Sequence, residues 1–334
     1  MMQVGDLWTL KQGSANFDRL FGYSIGFYGV WITHIGRQMK LLERLSAHPM
    51  TIDELIFTTR LYSPAVRAWC SAAYSYGLIT KKKGKLRLKK QMKAMLVDKT
   101  SPHYLCGQFS YLALRSLEYG AFEELFNSGK TRKMTSSALT AIEQATEWDH
   151  YVFLATVRRH RKLHEVLSKG GRLLDVGCGT GSLLTKMLKK YPKSSFVGID
   201  PSEKAVAMAH KIADGKPITI TKQAGESMKF ANEFDIVYLG EALYAARNKK
   251  KVISNCWRAL KKDGTIALLE GLLPKSPYGP GATRLIMGMQ LDFALHGHKF
   301  MTKKEITILL NRRFSRVRFE DLGGHVHLIT ATKQ

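Results

Sequence analysis

A parallel, doubly wound α/β sheet preceded by a mostly helical domain is predicted by three observations. Apolar runs that read as strands alternate with stretches carrying apolar residues three and four apart, from Leu173 to Glu270. The first run, Leu173-Leu174-Asp175-Val176, passes into Gly177-Cys178-Gly179-Thr180-Gly181 and then into a helical pattern from Ser182 to Leu188. The first 148 residues carry helix signals and one short hairpin instead. The 334 residues are enough for two domains, placed at 1–148 and 149–334.

In the front domain the chain is aromatic and dotted with glycine up to Trp31, then helical through Met39, Leu41, Leu42 and Leu45. Thr51-Ile52-Asp53-Glu54 is a capping box that opens a short helix. Ser63-Pro64 supplies an N-cap and a first-turn proline for the next one, which runs through Val66, Trp69 and Tyr74 and stops at Gly77. Leu78 to Leu88, with Lys81-Lys82-Lys83-Gly84-Lys85 at its tip, reads as a hairpin. Helix, helix, helix, hairpin is a winged-helix order, and the lysine tip suits phosphate. A DNA reader needs Arg, Asn or Gln facing base edges, whereas this helix offers Arg67, Ser71 and Ser75, which favours an inward-packed helix. Residues 91–147 look helical with a polar interruption from Asn127 to Ser137, and one long helix is expected from Trp148 to Leu167. Its aromatics Trp148, Tyr151 and Phe153 either close over a ligand or are core.

The glycine turn is a nucleotide cradle, because glycine takes positive φ and lets backbone approach a ligand without a Cβ. Ser182 stands where a dinucleotide fingerprint needs its third glycine, which argues against NAD. A second strand, Ser195 to Ile199, ends in Asp200, an acid placed to accept both ribose hydroxyls; the competing role is a helix N-terminal acid before Pro201-Ser202. Strands follow at Ile218–Thr221, Phe234–Leu239 and Thr265–Glu270, with a helix from Lys249 to Leu260. Glu241, just past a strand's carboxyl end, faces the side where such sheets bind ligands and is the first candidate base. His296 and His298, with Asp292 close in sequence, are second choices. Met287, Met289 and Phe293 offer either a soft wall for an apolar substrate or plain core. Val317–Phe319 and His325–Ala331 should close the chain as an antiparallel edge hairpin.

The D-x-G-x-G-x-G spacing of Asp175 to Gly181 resembles the first motif of the class I S-adenosylmethionine (SAM) methyltransferases. The whole chain resembles their winged-helix small-molecule group, which includes plant and bacterial O-methyltransferases. The resemblance implies a Rossmann-like SAM domain, with Gly177, Cys178, Gly179 and Gly181 around the methionine and ribose of SAM and Asp175 beside the amino acid portion. It implies that Glu226, standing where Asp is commoner, receives the adenine amino group, and that Asp200, Pro201, Gly225, Ser227 and Leu239 are also among the SAM-binding residues. It also implies a homodimer formed through the front domain. The plant members carry a His-Asp pair after the fourth strand, where this chain reads Glu241-Ala242-Leu243-Tyr244. Methyl transfer is an in-line displacement that depends more on alignment than on covalent help.

A net charge of +25 attracts nucleic acid or anionic surfaces, but it is spread over both halves and much of it falls on solvent faces of helices. It supports an alternative reading as an RNA or protein methyltransferase, although the Asn/Asp-Pro-Pro-Tyr/Phe motif of base-nitrogen methylation is absent. A non-catalytic SAM-binding DNA regulator is the alternative from another class. Cys70, Cys106, Cys178 and Cys256 lie too far apart for a C-x-x-C zinc or disulfide pattern, so no metal is expected and a reducing cytoplasm is. No apolar run is long enough to span a bilayer. The leading expectation is a SAM-dependent enzyme that methylates O, N or C of a small apolar or aromatic acceptor.

Overall fold

The computed structural model describes residues 15–101 and 103–334. They cluster in two compact units, one comprising residues up to 118 with 135–148, the other 119–134 with 149–334. Residues 119–134 were expected in the front domain and cluster instead with the second unit. The reason is a backbone pairing invisible in sequence: Arg132 N donates to Leu295 O at 2.8 Å, and the Arg132 carbonyl lies 3.0 Å from His296 Nδ1.

The first unit opens with α1 (Ala15–Gln38), a correction to the expectation that helix begins only past Trp31; residues 1–14 lie outside the described part. The glycines do not break it, because one of them is needed for packing. A Cβ at Gly36 would come within 2.5 Å of the Trp69 ring, whose Nε1 donates to Ile32 O at 2.9 Å. Helices α2 (Leu41–Ala47), α3 (Ile52–Thr59) and α4 (Ser63–Ser75) follow, then the hairpin β1 (Thr80–Lys82) and β2 (Lys85–Arg87). Thr51 and Glu54 form both bonds of the capping box. Ser63 is the first helical residue and not the cap, a place taken by Tyr62. Lys83 and Gly84 both hold positive φ, as the tightest hairpin turn requires. Helix α4 buries Val66, Trp69, Cys70 and Ala73, and its Arg67 pairs with Asp53 at 2.5 Å. The arginine that could have read a base edge is thus engaged within the protein. Helices α5 (Lys90–Leu96), α6 (Cys106–Ser116) and α8 (Ser136–Ala145) complete this unit, while α7 (Phe122–Ser128) belongs to the second.

The long helix expected from Trp148 to Leu167 is two, α9 (Glu147–Arg159) and α10 (Arg161–Ser168). His160 breaks it in extended conformation and caps α10, its Nδ1 accepting from Leu163 N at 3.5 Å. Then come β3 (Arg172–Val176), α11 (Ser182–Lys190), β4 (Ser195–Asp200), α12 (Glu203–Ala213), β5 (Ile218–Lys222), β6 (Phe234–Gly240), α13 (Lys249–Ala259) and β7 (Leu260–Leu273). The chain ends with α14 (Gly281–Ala294), β8 (Met301–Thr302), α15 (Lys303–Asn311), β9 (Phe314–Asp321) and β10 (Val326–Lys333).

The sheet order is β5-β4-β3-β6-β7-β10-β9, parallel from β5 to β7, with β10 antiparallel to both neighbours and β8 beside β7. Two cores form because strand residues alternate between faces. Leu174, Val237, Leu239 and Leu268 pack on α13 and α15, whereas Leu173, Ile236, Tyr238 and Leu269 pack on α9 to α12. The chain runs outward from β3 to β5 and then returns to β6, so strand order reverses between β3 and β6. Ligands bind at the carboxyl ends of strands at such a switch point.

Among the described residues no helix is long and apolar enough to cross a membrane. All four cysteines are buried free thiols.

Candidate functional site

The glycine turn leaves β3 at the switch point. Gly177, Gly179 and Gly181 have φ of 85°, 54° and 71°, the left-handed region that a Cβ disfavours. Gly177 N and Cys178 N both donate to Ile199 O, at 2.8 and 3.0 Å, which pins the turn to the end of β4. Space then separates the glycines: a Cβ on Gly177 would stand 2.7 Å from that of Ala242, whereas one on Gly179 would meet nothing within 4 Å. The open side of the cradle is therefore at Gly179, next to the N-terminus of α11.

Asp200 locks this turn to the next one. Its Oδ2 accepts from Gly179 N at 3.0 Å and its Oδ1 from Ser202 N at 2.8 Å. The carboxylate thus holds the start of the next helix segment through Ser202, and each oxygen retains a lone pair. Burial raises its pKa, and the two N–H donors act against that rise. Asp175 lies one strand over and is buried, and burial together with Asp200 pushes its pKa up to about 8. Burial likewise raises the Cys178 thiol, which makes it a packing group and not a nucleophile.

The Gly225-Glu226-Ser227 turn is fixed to α13, because Asn255 Nδ2 donates to the carbonyls of Gly225 and Glu226 at 2.9 and 2.8 Å. Glu226 Oε1 accepts from Asn248 N at 3.3 Å, and Ser227 Oγ donates to Ala224 O at 3.1 Å. Pro201 is exposed at the start of α12. The Leu239 side chain belongs to the core on the α13 face, and its backbone stands near the strand end.

Glu241 sits in the left-handed region, φ 48°, uncommon for a residue with a side chain. Its N donates to Leu269 O at 2.8 Å and its Oε1 accepts from Gly271 N at 2.7 Å. Glu270, absent from the sequence-based candidates, returns the arrangement, with Oε1 accepting from Ala242 N at 3.2 Å and Leu243 N at 2.8 Å. The two carboxylates clasp adjacent strand ends, each holding the backbone beyond the other. Burial raises both pKa values, that of Glu270 to about 8, and Glu270 and Asp149 raise Glu241 further. An acid closing an apolar strand was a legible signal for Glu270, as it was for Asp200; for Asp149 on α9 there was none.

The candidate histidines separate. His296 is engaged with the Arg132 carbonyl. His298 packs edge-on against Tyr244, 5.9 Å between ring centres, and burial, His296 and Lys249 lower its pKa. Tyr244 stacks on Phe293 at 4.6 Å and Phe293 on Phe300 at 4.3 Å, and Met289 packs on this cluster. These side chains form a buried aromatic cluster that begins three residues after Glu241.

Glu270 gives stability a pH dependence of defined sign. An acid whose pKa rises from 4.5 in the unfolded chain to about 8 on folding binds its proton more tightly when folded. Its contribution is complete below about 4.5 and disappears as pH climbs to about 8. Urea unfolding between those limits should show declining stability, with a shallower decline in Glu270→Gln.

The profile of the Methyltransferase domain family matches residues 167–275. Residues 167–275 are thus similar to a methyltransferase domain. That stretch contains the glycine turn, Asp200, Glu226, Glu241 and Glu270. The chain is 28% identical over 200 residues to a 3-aminomethylindole N-methyltransferase of Hordeum vulgare subsp. vulgare, covering 53% of this chain and 51% of that one. It is 26% identical over 137 residues to myricetin 3'-O-methyltransferase 4 of Solanum lycopersicum, covering 40% and 36%. The chain thus spans about half the length, or less, of these curated relatives. The fold extends much further: human N-acetylserotonin methyltransferase in complex with SAM superposes with TM-score 0.74 at 19% identity, over 96% of this chain and 99% of that one. The chain therefore shares the fold of these structures, a Rossmann-like sheet domain preceded by a helical region.

Proposed function

We propose that this chain is a SAM-dependent methyltransferase acting on a small apolar or aromatic acceptor at O, N or C. The observation that carries the reading is the Asp200 carboxylate bonded to Gly179 N at the switch point, beside the open face of the glycine turn. Asp200 would hold the ribose, the amides of the turn the methionine end of SAM, and the Glu226 turn the adenine. SAM supplies an electrophilic methyl group; the protein excludes water and aligns the acceptor. The names of the relatives support a small molecule as acceptor, and the Tyr244, Phe293 and Phe300 wall suits a ring. Titration calorimetry with S-adenosylhomocysteine tests the reading, and absence of binding rejects it.

Glu241 is the proposed base, with His298 second because it lies beside Tyr244; His296 is occupied with Arg132. Glu241→Gln keeps an oxygen for Gly271 N and loses the basic one. Single-turnover methylation should slow by about a hundredfold, the lower end of the range for general bases.

A homodimer through the front domain is proposed from α1. Leu20, Tyr23, Ile25, Phe27 and Tyr28 are exposed along it, a density of apolar groups that marks interaction surfaces. The proposed location is the cytoplasm, in keeping with four free thiols.

A further inference from the structure

We infer that Asp149, Glu241 and Glu270 bind the ammonium group of the methyl acceptor, so that the acceptor is an amine. The inference rests on the methyltransferase reading above and narrows it. The three acids come from α9, the residue after β6 and the carboxyl-terminal part of β7, all within the second unit, where Glu241 and Glu270 each hold the backbone beyond the other. Asp149 and Glu270 both act on Glu241, and Asp149 acts on Glu270.

What distinguishes the cluster from a solvated acidic patch is Glu270. It is fully buried, its Oε1 holds two backbone N–H groups, and among the described residues its Oε2 has no hydrogen-bond partner. A buried carboxyl oxygen without a hydrogen-bond partner is costly and rare in folded proteins. The groups around it do not supply one. Lys249 acts on Glu270, but its Nζ donates to Ala246 O at 3.0 Å and Glu226 and Glu305 draw on it too. His298 is disfavoured as a cation by burial and by Lys249, and the Tyr238 hydroxyl is buried among the same acids.

The missing partner must bring positive charge and more than one N–H. An ammonium does both; a hydroxyl offers a single neutral donor, the sulfonium of SAM offers none, and the α-ammonium of SAM belongs, on the reading above, beside Asp175 at the glycine turn. The aromatic cluster begins at Tyr244, next to Leu243, whose N–H Glu270 holds, so an amine carried close to a ring suits the site.

The chemistry balances. The bound ammonium gives one proton to a carboxylate of the cluster and becomes a neutral amine. Its lone pair forms the N–C bond while the C–S bond breaks, its electron pair remaining on sulfur. The product leaves as a methylated ammonium, and the carboxyl proton passes to solvent. In the empty site, burial keeps Glu270 largely and Asp149 partly protonated near neutrality, so an arriving ammonium displaces a proton.

The test uses the full chain saturated with S-adenosylhomocysteine and titrated with benzylamine or benzyl alcohol in two buffers of different ionisation enthalpy. Benzylamine should bind at least about tenfold more tightly than the alcohol, the scale of a close charge pair, and should release a proton, seen as buffer-dependent heat. Glu270→Gln, which keeps the oxygen that holds Ala242 and Leu243, should retain the homocysteine product and lose the preference. Equal binding of the two probes, binding of neither, or a preference intact in both Glu270→Gln and Glu241→Gln overturns the inference alone. Failure to bind S-adenosylhomocysteine instead removes the methyltransferase reading, and the inference with it.

Discussion

Replacing Asp200 by alanine is expected to lower affinity for S-adenosylhomocysteine by about a thousandfold in titration calorimetry. Two hydrogen bonds from ribose hydroxyls to a carboxylate contribute about 1.5 to 3 kcal/mol each, and a loss of about 4 kcal/mol corresponds to three decades. The variant also leaves Gly179 N without the acceptor that now lies 3.0 Å away, so the turn loses an anchor while the ligand loses its partner. Asp200→Asn keeps an oxygen for one of the two backbone donors and should fall between. Undiminished affinity in the alanine variant would reject the ribose assignment, whatever its effect on folding.

Gly177→Ala should destabilise the fold by about 2 to 5 kcal/mol, measured as a shift of the urea midpoint. The added methyl meets two penalties. Left-handed backbone costs a residue with a Cβ about 1 to 2 kcal/mol, and φ here is 85°. Crowding in a packed interior adds about 1 to 3 kcal/mol, and the new Cβ would be 2.7 Å from that of Ala242. Gly179→Ala separates the terms, because that position shares the positive φ and has open space in front of it. It should cost only about 1 kcal/mol of stability yet sharply weaken S-adenosylhomocysteine binding. Equal destabilisation of the two variants would show that Ala242 is not what requires glycine at 177.

The expectations that succeeded rest on local physics. The capping box at Thr51 and Glu54 closes within one helical turn. The strands from Leu173 to Glu270 were legible because residues of a parallel strand are buried on both faces, which leaves an apolar run. The glycine turn was legible because three alternate glycines have few uses other than positive φ beside a ligand. Expectations failed where a distant contact overrode a local signal. The glycines before Trp31 suggested no helix, yet α1 runs through them, and Gly36 is the place where the Trp69 ring lies against it. The helical run from Trp148 to Leu167 carries no proline or glycine, yet it breaks at His160.

The sequence by itself determined the succession of strands and helices along the second unit, its glycine turn and the acid at the end of the second strand, since each depends on residues close together in the chain. Only the tertiary structure decided which acids act together. Glu241 and Glu270 meet because β6 and β7 pair in parallel, Asp149 because α9 packs over the sheet, and residues 119–134 join the second unit through Arg132. Burial raises a carboxyl pKa and leaves a lone oxygen in want of a partner, and burial is a property of the folded whole that no spacing of residues encodes.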